Sequence, residues 1–195
     1  MNKKIIPVTL GLAVVLTACG NKNDENNNNM NLNDKIENAV VSENIQGEKI
    51  NFEDIKITPE DTAKIFREKL PEVKLKDISL DNEKGSYLYK VSGQTEEAEY
   101  EIIIDPVTGE VLKEFSEKDR EFVDGFEILN EDLAKINPLV EKALENAGEG
   151  YSLYEWDIEV DDGRKELNIE LKDTSGKDLE YKYDVETERL LDKDN

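Results

Sequence analysis

The side chains in this chain with the most chemical potential are carboxylates. Asp and Glu together number 47 against 25 Lys and Arg, giving a formal charge of −22. From Tyr154 to Asp161 the acids Glu155, Asp157, Glu159 and Asp161 alternate with Tyr154, Trp156, Ile158 and Val160, so a strand here puts all four acids on one face. Glu166, Glu170 and Glu180 extend that face on the next strands, with Lys182 as an opposing charge. Such a surface attracts basic proteins or divalent cations through its field, and the same pattern also keeps a one-sided sheet solvated. No defined metal centre is read from it, because Asp157 to Gly163 lacks the alternating ligands and terminal Glu of a calcium loop. Two carboxylates could act as acid and base on a glycoside, but no pair is set apart by a motif.

Other chemistries are excluded by composition. The chain has no histidine, which removes Ser-His-Asp and Cys-His catalysis and imidazole-dependent zinc sites. Cys19 is the single cysteine, so neither an internal disulfide nor a thiolate cluster can form. The negative charge argues against nucleic acid and anionic headgroups as ligands. The reading is a protein without cofactor and without catalytic residues.

Cys19 has a different role. Lys3 and Lys4 precede an apolar run from Ile5 to Leu16, and Leu16-Thr17-Ala18-Cys19 closes it, a pattern that reads as a secretion signal. The closing residues resemble a bacterial lipobox, which implies cleavage between Ala18 and Cys19, a diacylglycerol on Cys19 and anchorage on the extracytoplasmic face of a cell membrane. Together with the Asn-, Lys-, Ile- and Glu-rich composition, this points to a low-GC Gram-positive source. Residues 19–46, rich in asparagine, cannot bury enough apolar surface to offset their ordering entropy and read as a disordered tether. Its root-mean-square reach is about 25–30 Å.

The elements that position the acids follow from periodicity. Ile50, Phe52, Ile55 and Ile57 bring in apolar residues ahead of a helix. Thr58, Pro59, Glu60 and Asp61 supply a cap, a first-turn proline and first-turn acids, and Ala63, Phe66 and Leu70 give the helix an apolar face that ends at Pro71. Alternation around Ile78 and Leu80, around Tyr87, Tyr89 and Val91, and from Tyr100 to Ile104 predicts strands. Asp105-Pro106-Val107-Thr108-Gly109 turns the chain into a short last strand. Pro59, Ala63, Tyr100, Asp105, Thr108 and Gly109 make residues 57–115 resemble the PepSY domain. That resemblance implies a fold-bearing role for these six residues and a link to extracellular peptidases.

A divergent second copy follows at a spacing of 79 residues. Ile136-Asn137-Pro138 matches Ile57-Thr58-Pro59, and Asp184-Val185-Glu186-Thr187 matches Asp105-Pro106-Val107-Thr108. Val140, Ala143, Leu144 and Ala147 form its helix face, and three alternating strands and a brief fourth run to the end. Glu188 stands where Gly109 stood, which puts that turn in question. The expected fold is α+β, with two tandem small modules at 47–118 and 119–195 after the signal peptide at 1–18. Each module carries one helix on a four-stranded antiparallel sheet, and Phe122, Phe126, Leu129 and Leu133 pack between them.

Leu88 and Ile103 alternate away from the helix-facing side of the first sheet. Either the connector or the second module covers them, or they form a patch for a partner. The functional expectation is a membrane-anchored binding or regulatory protein that acts on an envelope or secreted peptidase or another envelope protein. The alternative is a ligand- or cation-sensing lipoprotein using the acidic face.

Overall fold

The computed structural model describes residues 49–118, 126–161 and 163–194. The leader, the lipidation residues Ala18 and Cys19, the tether and Phe122 lie outside the described residues. Among the described residues no helix is long and apolar enough to cross a membrane.

The first helix, α1 (Pro59–Lys69), starts where the sequence signals it. Thr58 Oγ1 accepts from the Asp61 amide at 3.1 Å while Asp61 Oδ2 accepts from the Thr58 amide at 3.3 Å, a reciprocal cap that satisfies two otherwise free donors. Four antiparallel strands follow: β1 (Lys74–Glu83), β2 (Ser86–Gln94), β3 (Glu99–Ile104) and β4 (Val111–Glu117). After a short helix α2 (Asn130–Leu133) comes α3 (Ile136–Ala147), then β5 (Tyr151–Asp161), β6 (Arg164–Asp173), β7 (Asp178–Asp184) and β8 (Arg189–Asp194).

The strands do not form two sheets. They make one eight-stranded antiparallel sheet in the order β4-β3-β2-β1-β5-β6-β7-β8. Its centre is a seam in which β1 pairs with β5 through Asp77 to Glu159, Ile78 to Ile158, Ser79 to Asp157 and Leu80 to Trp156. Joining the two strands removes two unpaired sheet edges at once, and Ile78, Leu80, Trp156 and Ile158 all face the same side, where each is at most 5% exposed. Across the seam the Tyr89 and Trp156 rings lie 6.1 Å apart between centroids. Both long helices pack on this side, and a single apolar core runs from Phe66 and Tyr89 through Ile158 to Val140 and Ile169. The expectation of an α+β fold holds. The expected two separate four-stranded sheets are replaced by one shared sheet and one shared core.

Other features are local. Ahead of α1, Phe52–Asp54 form a single 3₁₀ turn, and the amides of Lys56 and Ile57 donate to the Pro106 carbonyl. Strand β1 runs through Asp81 to Glu83, and Lys84 and Gly85, both with positive φ, turn the chain into β2. Of the residues expected to pack between modules, Leu133 is buried, whereas Phe126 and Leu129 are 38% and 42% exposed. The connector is instead stitched down by Arg67, which donates to the Ile128 carbonyl and to Asn130, and by Ile128, whose amide donates to Leu75.

Candidate functional site

The face of the sheet away from the helices carries the acids. At the seam β1 contributes Asp77, Ser79 and Asp81, β5 contributes Glu155, Asp157 and Glu159, and β6 contributes Glu166, Asn168 and Glu170. The register sets Asp77 opposite Glu159, Glu159 opposite Glu166, and Glu155 opposite Glu170. Like charges placed directly opposite destabilise a sheet unless something intervenes. For Glu166 it is Lys182 at 3.0 Å with Arg164 at 3.8 Å, and for Glu170 it is Lys172 at 2.7 Å. Asp157 lies opposite Ser79 and Asn168, and the Asn168 amide donates to it at 2.8 Å and also reaches Glu159 at 3.3 Å.

Asp77, Asp157 and Glu159 remain as a half-buried triad, each offering a carboxylate oxygen within 4.8 Å of the others. Burial, reinforced by the charges of Asp157 and Glu159, pushes Asp77 up to about 8. Burial also pushes Asp157 up to about 6, against the lowering effect of its bond from Asn168. Near neutral pH this triad therefore holds a proton on Asp77, and its oxygens are spaced as hard oxygen ligands around a calcium-sized cation would be.

Of the acids expected on this face, Asp157 and Glu159 enter the triad. Glu155 lies beside it and accepts from the Asn82 amide at 2.7 Å, Glu170 pairs with Lys172, and Asp161 is exposed at the strand end. Asp77 was missed. Its alternation with Ser79 and Asp81, opposite to Ile78 and Leu80, gave its face, but only the β1–β5 pairing brings it to β5. A depression of about 680 Å³ at the end of the seam, bordered by Lys76, Phe126, Val160 and Asp161, does not include the triad.

Leu88 and Ile103 lie on the same open face, yet they are only 6% and 8% exposed. Lys90, cross-strand from Ile103, reaches Asp81 and Glu83 at 2.7 Å each, so its stem runs past Leu88, and Lys113 stands opposite Ile103. The two residues thus form no open apolar patch.

The turn at Asp105 has the tightest local geometry. Asp105 Oδ1 accepts from the Val107 and Thr108 amides at 2.8 and 2.9 Å, Thr108 Oγ1 accepts from Glu110, and the Gly109 amide returns to the Asp105 carbonyl. Gly109 has φ +74, and a Cβ there would meet Ile65 at 3.1 Å and Ile57 at 3.4 Å. Together with the Pro106 carbonyl, this turn clasps the entry to α1. Pro59 and Ala63 are buried on the helix and Tyr100 is half-buried on β3. Over residues 56–115 the sequence matches the family described as peptidase propeptide and YPEB domain, PepSY.

Residues 56–115 are a PepSY domain. Domains of this family are generally non-catalytic and propeptide-like. No curated protein matches the chain in sequence. A crystal structure of a candidate lipoprotein from Clostridium difficile 630 has a similar fold, with 21% identity, a TM-score of 0.55, and coverage of 76% of this chain and 99% of that one. The likeness extends beyond the PepSY segment and so takes in part of the α3–β8 half. The triad consequently straddles the PepSY domain, which supplies Asp77, and the strands that follow it.

Proposed function

We propose that this chain is a lipid-anchored, extracytoplasmic, non-catalytic protein whose PepSY domain restrains or handles an envelope or secreted peptidase. The observation that carries the reading is the peptidase-propeptide match over residues 56–115, held in an intact helix-and-turn clasp. The leader with its lipobox ending at Cys19, and the fold shared with a candidate lipoprotein, support placement at the membrane surface. The second half is a diverged copy of the first. In both, a short helical turn precedes the long helix, and the residue at the Gly109 position, Glu188, keeps a positive φ of 55. The Lys135 ammonium donates to the Val185 carbonyl where the Lys56 amide donates to Pro106, again 79 positions apart. Lipid-labelled full chain should fractionate with membranes and co-purify with a metallopeptidase of its host, and Cys19→Ala should release it to the medium. Soluble full chain without lipid, recovered with no peptidase, would contradict the reading.

A second reading, cation binding, is favoured by one observation, the convergence of Asp77, Asp157 and Glu159. Calorimetry with calcium at pH 8.5 should then show saturable heat that Asp157→Asn abolishes, and absence of heat removes this reading without touching the first.

A further inference from the structure

Among the described residues the sheet ends on two outer strands, β4 and β8. Two identical edges that pair about a two-fold axis normal to the sheet must run antiparallel and in a register centred on one residue, since residues directly opposite share a face. Centred on Phe115, β4 is self-complementary. Lys113 of one copy then faces Glu117 of the other, twice, Phe115 faces Phe115, and Glu114 faces Ser116. Strand β8 lacks such a register, because centring on Leu191 opposes Arg189 to Lys193 and centring on Asp192 opposes Leu190 to Asp194.

The geometry of β4 suits this pairing. Its register with β3 is regular from Lys113 to Glu117, and the irregularity falls earlier, around Leu112. Lys113, Phe115 and Glu117 share the open face, while Glu114 turns the other way and meets Lys69 of α1 at 2.9 Å. Phe115 is 39% exposed, an aromatic at the middle of an edge strand. Charged residues normally blunt such edges by repelling whatever approaches. Here they attract one particular strand, the same strand from a second copy.

We infer that β4 is a self-recognition edge through which two copies of this chain join their sheets. The occupant is a second copy because the charge pattern is matched by β4 itself, on both sides of Phe115. The large negative charge of each copy opposes association, which makes the pairing weak and concentration-dependent.

Sedimentation of the detergent-solubilised full chain should show a monomer–dimer equilibrium. Lys113→Glu or Glu117→Lys alone, each placing like charges opposite one another twice, should weaken it about tenfold, and the two together should restore it. In a Cys19→Ser background, Phe115→Cys should give a disulfide-linked dimer on mild oxidation, whereas Leu190→Cys on β8 should not. A chain that stays monomeric up to its solubility limit, a dimer indifferent to all three charge variants, or equal cross-linking at both edges would overturn the inference.

Discussion

Asp77 and Glu188 are two residues at which the fold works against local chemistry. The folded-state value of Asp77 lies near 8, above the ordinary aspartate value, so the folded protein binds a proton that the unfolded chain releases. Stability from this group is complete below about pH 4 and is lost as pH rises to about 8, at up to about 1.4 kcal/mol per pH unit. Asp157 acts in the same direction but only to about 6. In chelator-treated buffer the melting temperature should therefore fall between pH 6 and 8, and Asp77→Asn should flatten that interval. An unchanged slope in the variant would show that the charge at the seam is not the cause. Glu188 holds φ 55, a left-handed conformation that costs a side-chain-bearing residue, while its carbonyl accepts from Lys142. Glu188→Gly keeps that bond and should stabilise the protein by about 0.5–1 kcal/mol in urea titration. At this scale the sequence was informative about which face each acid takes, because alternation encodes it. It was silent about Asp77 meeting Asp157, because alternation says nothing of which strand lies alongside.

Among the elements, the helix starts were legible because capping is local. Thr58, Pro59 and Asp61 need nothing distant to do their work. The apolar residues from Ile50 to Ile57 serve the packing of a 3₁₀ turn and an extended entry to α1, a role that no local code announces. Gly93 on β2 gave no sequence signal, yet it sets how closely α1 lies on the sheet. A Cβ there would stand 2.5 Å from the Lys74 carbonyl oxygen and 2.7 Å from the Phe66 ring. The backbone oxygen cannot swing aside, so Gly93→Ala should cost about 1–3 kcal/mol by overpacking, measured as a shifted denaturant midpoint with an unchanged slope. A neutral result would mean that α1 can lift from the sheet.

For the whole molecule, the repeat at 79 residues led to the expectation of two separate modules and held no sign of one shared sheet, since β1 and β5 carry no charge or turn code for each other. They meet because each presents an apolar inner row on an otherwise open edge. A core shared by Phe66, Trp156 and Val140 predicts one cooperative thermal transition, and Trp156→Ala should lower it as a unit by about 3–5 kcal/mol without splitting it. Two resolved endotherms would mean independent halves. The functional account rests on the PepSY domain acting upon a peptidase, and the most direct test is the rate at which secreted and envelope metallopeptidases of the host cleave a peptide substrate when the full chain is added. The account predicts that at least one is slowed in proportion to added protein, and that Gly109→Val, which drives a branched side chain into Ile57 and Ile65, relieves the effect. Unchanged rates for every such peptidase, with folded protein in excess, would contradict it.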